Sequence, residues 1–151
     1  MAGWLAVRSS GLRASNLFMM TFIASMALAG VLAAGTPSPA AKWRAILEPV
    51  GDSRVRGGAT AEAKGESTHF IITVRGGIAG SPLAWHMRAG TCAAPGGIIG
   101  SGYPELQVGP GGTAQAAITL PVPPPNEGSH IIQVHGPGGG VVSCGELKPI
   151  G

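Results

Sequence analysis

One stretch of the sequence decides how this chain is interpreted: Leu83-Ala84-Trp85-His86-Met87-Arg88-Ala89-Gly90-Thr91-Cys92. Large apolar side chains alternate in it with Ala84, His86 and Arg88, so an extended backbone here has one apolar face and one polar face. A glycine closes the run, and a cysteine follows two residues later. The pattern predicts a half-buried β-strand that carries a histidine on its outer face and leads into a cysteine.

The same alternation recurs along the chain, and residues 43–151 show no stretch with the period of an amphipathic helix. The clearest strand runs from Ser67 to Arg75, where β-branched residues are frequent. The predicted strands are 43–49, 55–63, 67–75, 83–88, 112–120, 130–135 and 140–144, with a short strand at 105–108 inside a Gly- and Pro-rich loop from 93 to 111. Short strands at this spacing predict an all-β fold, an antiparallel β-sandwich or flattened barrel of seven to eight strands.

The apolar faces of these strands define a predicted core, and residues 145–151 are expected to be irregular. The predicted core residues are Trp43, Leu47, Phe70, Ile72, Trp85, Ile118, Ile132 and Val134. His69 and His130 are interpreted as solvent-facing side chains.

The N-terminal residues have the layout of an export signal. Arg8 and Arg13 precede an apolar run at residues 17–34, and small residues follow it. The run is also long enough to span a hydrocarbon layer of about 30 Å, so a retained membrane anchor helix is the alternative. The predicted organisation is a signal peptide or membrane anchor at 1–35, a Pro/Ala linker at 36–42 and a β-domain at 43–151. The chain is expected to be secreted or to reside in the cell envelope, anchored through residues 17–34 if the leader is retained.

Charge and cysteine content narrow the function classes. Of the ten basic residues, Arg8 and Arg13 lie in the leader, which leaves eight against seven acidic residues. This balance gives no support to a nucleic-acid partner. The only two cysteines, Cys92 and Cys144, are expected to pair in an exported protein, two buried free thiols being the alternative.

Several motifs, taken in order, resemble those of copper-zinc superoxide dismutases and of the wider dismutase-like sandwich family. They are residues 85–92, Gly111-Gly112-Thr113-Ala114, Ile132-Gln133-Val134-His135 and Val142-Ser143-Cys144-Gly145. The resemblance covers about residues 43–147. It implies a Greek-key β-sandwich in which a Cys92–Cys144 disulfide ties a long loop to the last strand. It also implies that His86 and His135 match two copper ligands.

The chain departs from the dismutase pattern around this metal site. Arg88 stands where the second histidine of the copper pair is expected, and Val141 stands where active dismutases carry a substrate-attracting arginine. The loop from Ala93 to Gly111 has no His or Asp that could match the bridging histidine or the zinc ligands. Two imidazoles alone make a weak, incomplete site for zinc or redox copper, and a guanidinium beside them repels a cation.

Three hypotheses follow from these residues. The first is an exported dismutase-like domain without catalytic residues or a cofactor, which serves as a binding or structural module for an unknown extracytoplasmic partner. The second is a copper-binding protein, or a residual copper-only superoxide dismutase, that uses His86 and His135. The third is a membrane-tethered interaction domain whose leader is retained.

Overall fold

The alternating segments form strands in the computed structural model, which describes residues 39–151. The predicted leader at 1–35 and its membrane anchor therefore lie outside the described residues. The ten strands are β1 (Lys42–Pro49), β2 (Arg56–Lys64), β3 (Ser67–Arg75), β4 (Pro82–Gly90), β5 (Pro95–Ile98), β6 (Leu106–Gln107), β7 (Ala114–Leu120), β8 (His130–His135), β9 (Val141–Glu146) and β10 (Lys148–Ile150). Within residues 39–151 there is no helix, and hence none that could cross a membrane.

All strands belong to one curled antiparallel sheet. Its hydrogen-bonded path runs β5-β4-β8-β9-β1-β2-β3-β7, while β6 attaches to β4 and β10 to β1. We name β1-β2-β3-β7 the first half-sheet and β5-β4-β8-β9 the second half-sheet. The β3–β4 and β7–β8 connections carry the chain from the first half-sheet to the second, and the β6–β7 connection carries it back. The all-β antiparallel class predicted from the alternation is therefore confirmed.

The core fills the concave side of the curled sheet. Seven of the eight predicted core residues are buried, and the eighth, Ile118, is partly buried against the others. Phe70 of the first half-sheet meets the edge of Trp85 of the second, with 5.5 Å between ring centroids. The ring of Trp85 also packs against Tyr103, with 4.9 Å between ring centroids. Its Nε1 donates a hydrogen bond to the carbonyl of Pro104 at 2.8 Å. These contacts hold the segment before β6 against the core.

Two strands lie where the sequence predicts irregular backbone. β5 falls inside the predicted 93–111 loop and pairs with β4, and β10 falls in the predicted irregular tail and pairs with β1. Their sequences, PGGI and KPI, have no alternation that would mark a strand. Their extended conformation depends on the neighbouring strand edge, so a pattern-based prediction misses it.

The predicted disulfide between Cys92 and Cys144 is present. Cys92 lies in the exposed turn after β4, whereas Cys144 is a buried residue of β9. β8 lies between β4 and β9 in the sheet, so the bond ties two strands that do not pair with each other. The disulfide therefore fixes the backbone that follows β4 against the second half-sheet.

Replacing both cysteines, Cys92→Ser with Cys144→Ala, should lower the free energy of unfolding by about 4 kcal/mol. The bond joins residues 52 positions apart. In the chain-entropy model, closing a loop of that length lowers the entropy of the unfolded chain and so raises its free energy by about 4 kcal/mol. Urea unfolding of the two proteins measures the difference. Wild-type protein treated with a thiol reductant is the control and should lose a similar amount. An unchanged urea midpoint in both samples would contradict the prediction.

Candidate functional site

His86 and His135 lie side by side on the convex face of the second half-sheet. On β4, Leu83, Trp85 and Met87 point into the core, so His86 points outward. The β4–β8 register places His86 opposite Gln133 and Ala84 opposite His135, which makes the two histidines diagonal neighbours. Their ring centroids are 5.5 Å apart. The structure therefore brings together the two histidines that the sequence singled out.

Each of these imidazoles has a buried nitrogen without a hydrogen-bond partner. Nδ1 of His135 lies 3.1 Å from the carbonyl oxygen of Gly139. Because a carbonyl only accepts, Nδ1 carries a proton, and in the neutral form of the ring Nε2 keeps its lone pair. His135 Nε2 is buried and unpaired, and so is His86 Nδ1. Buried polar atoms of this kind are rare, and an imidazole lone pair is a metal-binding group.

The surroundings of His86 keep its ring neutral. Burial lowers the pKa of His86 below 6.5, and His135, when it is protonated, and the guanidinium of Arg88 act in the same direction. The ring of Tyr103 packs against His86 at a centroid distance of 5.4 Å. Burial also raises the pKa of Tyr103 to about 12, so its hydroxyl stays protonated and donates to the carbonyl of Ile99. Neutral imidazole is the form that binds a metal ion.

Arg88 is held on the same face of β4 by two hydrogen bonds. Its Nε donates to the carbonyl of Gly96 at 2.8 Å, and its Nη1 donates to Oε1 of Gln133 at 3.1 Å. Gln133 is only 3% exposed, so the bond lies close to the sheet. A permanent positive charge thus lies two residues from His86 on the same face of β4.

No third metal-binding side chain joins the pair. Within residues 39–151, no group of three or more His, Cys, Asp or Glu residues is arranged to hold a metal ion. His69 lies on the first half-sheet, where its Nδ1 is 2.9 Å from Oγ1 of Thr119. The arrangement therefore consists of two imidazoles and a nearby guanidinium.

His130 is less exposed than the sequence predicts. It is half-buried, and its Nδ1 is buried without a partner. His130 continues the inward row of Ile132 and Val134 on β8, so it points away from the face that carries His135. The alternation of β8 could have predicted this inward position from the sequence. A histidine at the end of a strand is, however, easily interpreted as solvent-facing.

Known proteins supply no family assignment for this site. No protein-family model matches the chain, and no curated protein sequence matches it. The dismutase resemblance therefore depends on the motifs named above and enters below as a proposal.

The pH dependence of stability should reveal the lowered pKa of His86. In the unfolded chain this imidazole takes up a proton near pH 6.5, while in the folded protein it does so only at lower pH. The unfolded state then binds more protons, so the free energy of unfolding should fall as the pH drops through 6.5 towards the folded-state pKa. Urea unfolding between pH 7.5 and pH 5 measures this slope.

The matched variants for this experiment are His86→Gln and Thr73→Ala. His86→Gln should flatten the slope, because the titrating group is gone. Thr73→Ala changes an exposed residue of the first half-sheet and should leave the slope unchanged. A His86→Gln profile as steep as that of the wild type would show that this residue does not titrate as expected.

Proposed function

We propose that this chain is an exported domain of the superoxide dismutase-like class that does not catalyse superoxide dismutation. It serves as a binding or structural module outside the cytoplasm. The disulfide supports the extracytoplasmic location, because such bonds persist mainly in oxidising compartments.

Three features support the dismutase-like class. The disulfide joins the backbone after β4 to β9, as the motif resemblance implies. The β3–β4 and β7–β8 connections cross between the half-sheets, which is compatible with a Greek-key sandwich. His86 and His135, the two residues that match copper ligands, are neighbours on one face.

The fixed position of Arg88 carries the proposal that catalysis is absent. Redox copper needs donors that serve both oxidation states, normally three or more, and the described residues bring only two imidazoles together. The hydrogen bonds to Gly96 and Gln133 keep the guanidinium beside them. The residues present therefore do not fit a copper-zinc dismutase centre, and no catalytic step is assigned to them.

The unpaired nitrogens favour copper binding without catalysis as a second candidate function. His86 Nδ1 and His135 Nε2 are buried, lack hydrogen-bond partners and belong to adjacent rings. Imidazole suits copper, and the lowered pKa of His86 keeps that ring unprotonated at neutral pH. These two nitrogens would hold a copper ion weakly, because the charge of Arg88 opposes it.

Purified full-length protein with its disulfide formed should remove superoxide no faster than a buffer blank. The measurement is a superoxide-consumption assay on samples incubated with copper and zinc and then freed of unbound metal. The matched control is His86→Ala, which removes one of the two imidazoles. Superoxide removal by the wild type that disappears in His86→Ala would overturn the proposal.

Copper titration of Arg88→His tests whether the guanidinium is what limits metal binding. The substitution removes a positive charge and adds an imidazole on the same face of β4, so copper affinity should rise by about tenfold or more. Calorimetry with copper alone measures the affinities of wild type, Arg88→His and the double variant Arg88→His with His135→Ala. His69→Ala, on the other half-sheet, is the matched control and should titrate like the wild type. Equal affinity in wild type and Arg88→His would show that Arg88 does not control this site.

A further inference from the structure

Three arginines on the convex face of the first half-sheet have no carboxylate partner. Arg44 of β1, Arg56 of β2 and Arg75 of β3 occupy exposed positions that face away from the core. In the part of the chain that the structure describes, every ion pair uses a lysine instead. The three guanidinium groups are therefore available to an anion from outside.

Two of these arginines lie directly opposite each other. Arg56 and Arg75 are cross-strand partners in the β2–β3 register. Like charges in this position destabilise a sheet, and an anion bound between them would offset the repulsion. Arg44 is the partner of Thr60, which lies four positions along β2 from Arg56. At about 3.3 Å per residue, Arg44 is about 13 Å from the pair, so a ligand that contacts all three needs more than one anionic group.

The surface between these arginines is open because Gly58 has no side chain. Gly58 lies two positions from Arg56, and its partner Thr73 lies two positions from Arg75. A shallow depression of about 220 Å³ is lined by Gly58, Arg44, Ala59, Thr60, Ile71 and Thr73. We name this depression, together with Arg44, Arg56 and Arg75, the arginine cradle.

The backbone does not require glycine at position 58. Gly58 has no positive φ, and a Cβ atom there would meet only the carbonyl oxygen of Ala45, at an ordinary contact distance of 3.5 Å. At Gly57, by contrast, a Cβ atom would collide with the backbone of Thr73. Glycine inside a strand weakens it and often marks a place that a ligand approaches closely. The open space at Gly58 is therefore explained better by a ligand than by the fold.

The carboxylates of the same strands leave the arginine cradle positively charged. β1, β2 and β3 contain two acidic residues, Glu48 and Glu62. Glu62 contacts both Lys42 and Lys64 and so balances lysines. Glu48 lies at the far end of β1, where that strand pairs with β9. One free carboxylate is thus set against three guanidinium groups.

The chemistry of the arginine cradle favours a carbohydrate polyanion over a peptide or a nucleic acid. β2 pairs with β1 on one side and with β3 on the other, so it offers no free edge to which a peptide strand could add. None of the described residues that line the depression is aromatic, so a base has no ring on which to stack. The hydroxyls of Thr60 and Thr73 and the apolar side chain of Ile71 suit a sugar ring, which has hydroxyl groups and apolar C–H faces.

We propose that the arginine cradle binds an acidic polysaccharide whose sugar units bear carboxylates. One carboxylate lies between Arg56 and Arg75, a second reaches Arg44, and the sugar rings between them lie over Gly58. The planar guanidinium fork matches the carboxylate geometry. This inference goes beyond the proposed function, because it gives the module a partner at a surface that involves neither the two histidines nor the dismutase resemblance.

Calorimetric titration with hexagalacturonate tests the proposal on the full-length, disulfide-bonded chain. The oligosaccharide should bind, and binding should weaken as salt is added. Its fully methyl-esterified form has the same sugar units without the charges and should bind at least about tenfold more weakly.

Two variants separate the charges from the open surface. Arg56→Gln combined with Arg75→Gln should weaken hexagalacturonate binding by about tenfold or more, and Gly58→Val, which fills the depression, by about fivefold. Gly58→Val should also unfold at the same or a higher urea concentration than the wild type, because valine favours a strand, so its weaker binding would not reflect a lost fold. Arg54→Gln is the matched control, since Arg54 lies in the β1–β2 connection and does not line the depression.

Three outcomes would overturn the proposal. The first is equal binding of hexagalacturonate and its methyl ester. The second is wild-type affinity in the double arginine variant or in Gly58→Val. The third is binding to polyglutamate or to vesicles of anionic phospholipid with none to hexagalacturonate, which would assign the arginines to an acidic protein or a membrane surface. The copper and superoxide measurements do not involve this face, so the failure of this proposal and that of the proposed function are distinguishable.

Discussion

β1 holds the two halves of this protein together, because it hydrogen-bonds to a different partner at each end. Its residues 42–47 pair with β2, and Glu48 and Pro49 pair with β9. The junction is tight: a Cβ atom at Gly145 would lie 2.2 Å from the carbonyl oxygen of Ile46, so only glycine fits there. Ser143 of β9 strengthens it by donating from Oγ to the carbonyl of Glu48 at 2.9 Å. Without this junction the half-sheets would separate and expose the core between them.

The candidate histidine site depends on this arrangement. The β4–β8 register places the two histidines on the convex face, and the disulfide holds the backbone after β4 close to them. The curled sheet thus buries its core on one side and presents the two histidines on the other.

Much of this could be predicted from the sequence, because alternation of side chains is a local property. β3 and β8 have the bounds that the pattern predicts, and His86 and Arg88 share a face as two-residue spacing requires. What could not be predicted depends on register or on distant partners. Two contacts of the candidate site join residues far apart in the chain: the hydrogen bond from Arg88 to Gln133 and the packing of Tyr103 on His86. β5 and β10 were missed for the same reason, since their strand partners and not their own residues make them extended.

The position of β1 next to β9 and β10 also governs when this protein can fold. β1 pairs with β9 and β10, which are synthesised about 100 residues later, so the sheet cannot close until Ile150 has left the ribosome. At a synthesis rate of about 5–20 residues per second, the delay is on the order of 5–20 s. Closing such long-range pairs is also slow in itself. An unfolded chain can pass through a narrow translocation channel, so late closure of the sheet would be compatible with the export proposed above.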